Sequence, residues 1–138
     1  MTTRHPDGRE TELLGVYPCL TYRDVRSALA WLLTAFGIRG QALIRPDTPD
    51  SAPLESALLH AGEGTILVES ERPGQLHGPH AGHGWIYVAI ADADSHYTWA
   101  KAAGAHVLGE PHDFGDGQRG YSALDHEQNL WTFATARP

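Results

Sequence analysis

The segment DVRSALAWLLTAFG, residues 24–37, decides the fold of this chain. Asp24 belongs to the residue types that cap helix N-termini, and Gly37 to those that end helices. Between them, apolar side chains recur at helical spacing and predict one buried face, made of Val25, Leu29, Leu32, Leu33 and Phe36. We therefore predict an amphipathic helix at this position.

A second segment, DADSHYTWAKAAG at residues 92–104, repeats this plan, with Asp92 at its start and Gly104 at its end. Predicted strands surround both helices in the same order. In the first half they cover 15–22, 41–45, 55–62 and 65–70, the last two joined by a hairpin turn. In the second half they cover 85–91, 105–111, 120–125 and 129–135, whereas residues 1–13 read as a loose start. The strand–helix–strand–strand–strand order thus occurs twice.

The fold class that follows is α+β, with two tandem βαβββ modules. Each half is too small to bury its own sheet well, so we expect two half-closed sheets around a shared cavity. A chain of 138 residues is the length of one domain. We expect module one at about 14–72, a linker at 73–84 and module two at 85–135.

Composition restricts the possible partners. A net charge of −7 without a cluster of lysine or arginine argues against nucleic acid and anionic membranes. Cys19 is the only cysteine, so no disulfide can form within the chain, which is typical of a reducing compartment. The polar start has no apolar signal core, and no apolar run approaches a membrane span. We expect a cytoplasmic protein.

Three segments carry a resemblance to a known family: residues 22–37, 86–105 and 123–135. The last, ALDHEQNLWTFAT, is similar to a closing Asp-Pro-x-Gly-Asn-Leu-Trp turn, although His126 and Gln128 replace its proline and glycine. The two halves resemble the vicinal oxygen chelate superfamily, which includes glyoxalase I, extradiol dioxygenases and bleomycin-resistance proteins. The resemblance implies the βαβββ fold and, for many members, a homodimer.

The resemblance also implies four positions for metal ligands, two in each module. They correspond to Tyr17, Glu69, Trp85 (or Ile86 if the register shifts by one) and Thr132. Only Glu69 is a competent ligand, because tryptophan has no metal-binding atom and tyrosine and threonine are poor ligands for divalent cations. We therefore expect no metal and no cofactor, as in the branch of the superfamily that binds ligands without catalysis.

Alternation in the strand WIYVAIA predicts that Trp85, Tyr87 and Ala89 share one face, opposite Ile86, Val88 and Ile90. The aliphatic face would pack on the helices, and the aromatic face would either bind a ligand or fill the barrel as core. Arg119 could meet an anionic ligand or lie in a surface turn, and Glu69 could be a general base, the partner of a cationic ligand or an exposed charge. The candidate ligand-binding residues are Tyr17, Cys19, Glu69, Trp85, Tyr87, Arg119 and Thr132.

Three evenly spaced histidines, His77, His80 and His83, lie among glycines in the predicted linker. Imidazole groups bind zinc, nickel or copper, but interleaved glycines make a loop flexible, and a metal site needs rigid ligands. We interpret the segment as a solvated linker.

The resulting hypothesis is a small-molecule binding protein that sequesters an aromatic or antibiotic-like ligand without catalysis. The alternatives are a metal-dependent lyase or dioxygenase that uses Glu69, and a domain that binds no small ligand.

Overall fold

The structure is a computed structural model and describes residues 2–4, 6, 10–72, 80–115 and 117–136. Two helices are present, α1 (Val25–Phe36) and α2 (Ala93–Ala102). The described strands are β1 (Thr2–Arg4), β2 (Glu10–Glu12), β3 (Cys19–Tyr22), β4 (Arg39–Ala42), β5 (Ser56–Ala61), β6 (Gly64–Ser70), β7 (Trp85–Ala89), β8 (His106–Val107), β9 (His112–Asp113), β10 (Arg119–Leu124) and β11 (Leu130–Ala134). None of the helices in these residues is long and apolar enough to cross a membrane.

The two sheets have the same strand order. Module one forms the sheet β3–β6–β5–β4, and module two forms β7–β11–β10–β8, with β9 also paired to β10. In each sheet the first strand of the module runs parallel to the last, and the other pairs are antiparallel. The predicted α+β class and the twofold βαβββ repeat are therefore confirmed.

Both helices begin and end much as their sequences predict. Asp24 accepts a hydrogen bond from the Ser27 amide at 3.0 Å, and Asp92 accepts one from the Ser95 amide at 3.1 Å. Gly37 has φ 72°, a left-handed conformation that suits glycine, and ends α1. The predicted buried face was wrong at Leu33, which is 52% exposed.

One apolar core lies between the two modules. Both helices and the inner faces of both sheets contribute to it. Phe36 at the end of α1 contacts Trp131 and Phe133 of β11, with ring centroids 5.6 and 4.8 Å apart. Because the helices cover only one face of each sheet, the opposite face of each is left open by the described residues.

A buried polar bridge also joins the modules. The Tyr22 hydroxyl of β3 donates to Asp125, in the turn between β10 and β11, and the Trp131 indole donates to the same carboxylate at 3.0 Å. Glu127 in this turn accepts hydrogen bonds from the amides of Arg23 and Asp24. The turn between β10 and β11, which resembles the family's closing turn in sequence, thus joins module two to the start of α1 through these hydrogen bonds.

Several predicted boundaries were wrong. The strand predicted at 15–22 begins only at Cys19, since Pro18 has no amide to donate to the ladder. The strand predicted at 41–45 covers Arg39–Ala42, and the one predicted at 105–111 shrinks to His106–Val107. The N-terminal residues 1–13, which we predicted to have no regular structure, contain a short antiparallel strand pair, β1 with β2.

The expected shared cavity is not enclosed by the described residues of one chain. The sheets stay open, and two surface depressions lie away from their open faces, one beside Trp99 on α2 and one at the start of α1. The two open sheet faces are therefore the surfaces on which a site could be built.

Candidate functional site

The open face of the second sheet carries three rows of side chains, set by the register of its strands. We call this surface the aromatic face. Across β10, β11 and β7 its rows are Leu124, Leu130 and Trp85; then Ser122, Thr132 and Tyr87; then Gly120, Ala134 and Ala89. At the edge of the sheet, His106 of β8 extends the first row and His112 of β9 the third. On its three inner strands the face therefore combines an apolar row, a hydroxyl row and a row of small residues.

Trp85 is the largest exposed side chain on the aromatic face, with 67% of its surface accessible. Its indole nitrogen donates to the Thr132 hydroxyl at 3.1 Å, and that hydroxyl lies 2.8 Å from the hydroxyl of Ser122. These contacts hold the ring in one orientation while leaving much of it accessible. The arrangement offers a fixed apolar platform of the kind that planar ligands stack on.

Tyr87 stands next to Trp85 on the same strand face and is 38% exposed. Its hydroxyl donates to the Ala136 carbonyl at 2.6 Å, so the phenol is also held in place. On the opposite face of the strand, Ile86, Val88 and Ile90 pack against the core. The predicted division of this strand into an aromatic and an aliphatic face is confirmed.

The open face of the first sheet carries a carboxylate instead of aromatic rings. We call it the carboxylate face. Glu69 lies on the inner strand β6, in register with Thr21 on β3 and Ser56 on β5, and the Ser56 hydroxyl donates to Glu69 Oε2 at 2.8 Å. The neighbouring row consists of Cys19, Leu67, Leu58 and Gln41.

Cys19 is a poor nucleophile in this setting. Burial and the negative charge of Glu69 raise the pKa of its thiol, so the reactive thiolate is disfavoured near neutral pH. Cys19 therefore contributes a small apolar surface beside Glu69.

The structure does not bring every predicted residue to these faces. Arg119 lies on the β10 face that carries Tyr121, and its guanidinium contacts Asp94 at 2.8 Å and Asp113 at 3.2 Å. Its positive charge is thus already paired within the chain. Tyr17 precedes β3 and is 58% exposed, in a segment whose neighbours are also exposed.

The residues at the four inherited ligand positions do not fit a divalent cation. Trp85 presents only an N–H group, and the Thr132 hydroxyl is engaged with Trp85 and Ser122. Within the described ranges, no three His, Cys, Asp or Glu side chains form a group that could hold a metal ion. Glu69 is left as the single anionic donor among the four positions.

The linker histidines are only partly described. His80 and His83 have ring centroids 6.3 Å apart and are both solvent-exposed, whereas His77 lies outside the described residues. The interpretation of this segment as a solvated linker stays a prediction.

Sequence reasoning missed the hydroxyl partners Ser122 and Ser56. Their roles depend on which residues face each other across neighbouring strands, and a shift of one residue in register would place them on the opposite face. The alternation around each residue was visible in the sequence, but the cross-strand pairing was not.

Comparison with known proteins agrees with this architecture. The family model described as "Glyoxalase/Bleomycin resistance protein/Dioxygenase superfamily" matches residues 16–133. The chain belongs to this superfamily. No curated protein matches the chain significantly.

Solved structures of the superfamily's fold match nearly the whole chain. TioX from Micromonospora sp. ML1 is 28% identical, with a TM-score of 0.69, and the match covers 91% of this chain and 98% of TioX. A glyoxalase-related enzyme from Clostridium phytofermentans is 13% identical, with a TM-score of 0.65 and coverages of 90% and 95%. A superfamily member from Sphaerobacter thermophilus DSM 20745 is 15% identical, with a TM-score of 0.63 and coverages of 88% and 97%. The last two likenesses concern the fold alone.

Proposed function

We propose that this chain is a small-molecule binding protein that sequesters a planar aromatic ligand, antibiotic-like in character, without catalysis. The observation that carries the proposal is Trp85, a large ring held by Thr132 yet two-thirds exposed at 67%. An aromatic side chain gains most from burial against another flat apolar surface, and here that surface is missing. A ligand ring stacked on the indole would supply it.

The same geometry favours a homodimer. The part of the chain that the structure describes leaves both open faces uncovered, and the segment before β3 exposes Leu14 and Val16 at 89% and 90%. Contiguous exposed apolar surface is typical of an interface, and a second copy is the simplest partner that could cover it. The ligand would then lie on the aromatic face, enclosed by the partner subunit.

We propose that the protein is not a catalyst because its described side chains offer few atoms that could bind a metal ion and no activated nucleophile. Metal-dependent chemistry needs several ligands around one cation, whereas Trp85 and Thr132 hold each other through a hydrogen bond. Cys19 and Glu69 stand side by side, but the raised pKa of the Cys19 thiol disfavours a nucleophilic role. The predicted binding roles of Tyr17 and Arg119 stay predictions, and the Arg119 guanidinium is already paired with Asp94 and Asp113.

A thermal-shift screen of aromatic natural products against untagged protein tests this function. A ligand present at 100 times its Kd stabilises the folded state by about 2.7 kcal/mol, which raises the melting temperature measurably. Hits should persist after dialysis against a chelator. The proposal is wrong if no aromatic compound shifts the melting temperature. It is equally wrong if the protein holds one transition metal per chain that is lost in Glu69→Gln.

A further inference from the structure

The middle row of the aromatic face holds the side-chain hydroxyls of its three inner strands, on Ser122, Thr132 and Tyr87. Trp85, in the neighbouring row, adds one indole N–H group. A hydroxyl has one proton to donate and two lone pairs that can accept, whereas an indole N–H can only donate. Each of these four side chains therefore has one proton that needs an acceptor when water leaves the face.

Two of these protons already have acceptors within the chain. The Trp85 N–H donates to Thr132 Oγ1 at 3.1 Å, and the Tyr87 O–H donates to the Ala136 carbonyl at 2.6 Å. Both rings are thus held by hydrogen bonds that a ligand lying on the face does not have to break.

The other two protons belong to Ser122 and Thr132, which share one hydrogen bond. Their hydroxyl oxygens lie 2.8 Å apart, and either hydroxyl can be the donor. Among the described residues, neither hydroxyl has a further acceptor, so this bond uses only one of their two protons. Whichever hydroxyl donates, one O–H proton is left without a partner in the described part of the chain.

The contact with the indole favours one direction of donation. A hydroxyl that accepts a hydrogen bond becomes a stronger donor, so Thr132, which accepts from Trp85, is the better donor of the pair. The unused proton then belongs to Ser122. The distances of 3.1 and 2.8 Å place the Ser122 oxygen no more than about 6 Å from the indole nitrogen. A fused aromatic ring system stacked on Trp85 is long enough to reach it.

A ligand that covers the face removes the water to which this proton would otherwise donate. Leaving a donor unsatisfied costs free energy, whereas an oxygen with an unused lone pair is tolerated more often. The edge histidines His106 and His112 lie in the other two rows. An acceptor on the ligand would satisfy the proton. A donor on the ligand would not, because it could reach only a lone pair and would leave the same O–H group unused.

We infer that the ligand is a planar aromatic molecule with a hydrogen-bond acceptor on its edge, a carbonyl oxygen or a ring nitrogen, to which the Ser122–Thr132 pair donates. This inference rests on the proposed function and specifies its ligand class. Stacking on Trp85 holds the plane of the ligand, and the hydrogen bond fixes how the ligand is turned within that plane.

Three probes of one shape separate hydrogen bonding from stacking. 9-Fluorenone carries a carbonyl acceptor, carbazole carries an N–H donor at the corresponding position, and fluorene has neither group. All three are neutral and share a three-ring skeleton. Equilibrium dialysis against the wild-type protein should give fluorenone an affinity about fivefold higher than that of carbazole, the contribution of one ordinary hydrogen bond. Fluorene measures stacking alone.

Variants of the hydroxyl pair locate the donor. Ser122→Ala combined with Thr132→Val removes both hydroxyls, so the preference for fluorenone over carbazole should disappear, while fluorene should bind at least as tightly as before. Thr132→Ser keeps both hydroxyls and should keep the preference. Thr98→Val removes an exposed hydroxyl from α2, away from the aromatic face, and should behave as wild type.

Each outcome bears on a different claim. Equal affinities for fluorenone and carbazole in the wild type, or a preference that survives without the two hydroxyls, would overturn the acceptor inference and leave aromatic binding intact. Loss of the preference in Thr132→Ser would also overturn it, because both hydroxyls are still present in that variant. Binding of none of the three probes to the wild type would contradict the proposed function and, with it, the inference.

Discussion

Tyr22→Phe is the substitution that most directly tests how the two modules are held together. It removes one hydroxyl at a fully buried position, where the phenol of β3 donates to Asp125. Hydrogen bonds to charged groups contribute about 1.5–3 kcal/mol. Asp125 would still accept from the amides of Glu127 and Asn129 and from the Trp131 indole, so its charge would not be left without donors. We therefore expect a loss of about 2 kcal/mol in the free energy of unfolding.

Urea denaturation measures this loss, with Tyr97→Phe as the control. Among the described residues, the Tyr97 hydroxyl accepts only a long 3.4 Å contact from exposed Lys101, so its removal should change stability by less than about half a kcal/mol. If Tyr22→Phe is no more destabilising than the control, the buried bridge does not stabilise the fold as described.

The dependence of folding stability on pH above about 9 tests the same hydrogen bond independently. Burial and the adjacent Asp125 charge raise the pKa of Tyr22 far above its ordinary value, so the folded protein keeps this proton when the unfolded chain loses it. Stability should consequently fall as pH rises through about 10, and the fall should be smaller in Tyr22→Phe. Identical alkaline slopes for the two proteins would contradict this account.

Two other predictions concern histidines. His96 Nε2 donates to the Phe36 carbonyl at 3.0 Å, and its Nδ1 accepts from the Tyr121 hydroxyl. Burial lowers the pKa of His96 in the folded protein, whereas histidine in the unfolded chain binds a proton near pH 6.5. Urea midpoints should therefore fall as pH drops below about 6.5. His96→Gln should flatten that fall, and an unchanged pH profile would refute the assignment. Serine replacements of the three linker histidines together should change stability by less than about half a kcal/mol in the same assay, whereas a loss of several kcal/mol would show that the segment is a site. The replaced residues are His77, His80 and His83.

The repeat and its helices were predictable because their signals are local. Asp24 and Gly37 mark the ends of α1 by capping chemistry that depends only on neighbouring residues. The alternation around Trp85 likewise needs no tertiary information. Leu33 was misassigned because helical spacing alone does not tell how wide the buried stripe is, and the small Ala28 and Ala35 pack inward instead.

The environment of the candidate site depended on long-range contacts that no spacing rule contains. The sequence makes Arg119 a candidate for binding an anion, but the structure pairs its guanidinium with Asp94, 25 positions earlier in the chain. Similarly, the Ser56–Glu69 contact requires the register of β5 against β6. Whether a second copy covers the two faces depends on another molecule, so the dimer remains a proposal.

The measurement that tests the central claim most directly is the affinity of Trp85→Ala for an aromatic ligand that the thermal-shift screen identifies with the wild-type protein. Truncating a ring at a buried binding contact costs 2 kcal/mol or more, so Kd should rise roughly thirtyfold. Trp99→Ala is the matched control, because Trp99 is 63% exposed but lies on α2, away from the aromatic face, and its Kd should stay within about twofold of wild type. Wild-type affinity in Trp85→Ala, or an equal loss in Trp99→Ala, would contradict the claim. So would a Trp85→Ala protein that fails to fold, because Trp85 would then belong to the core.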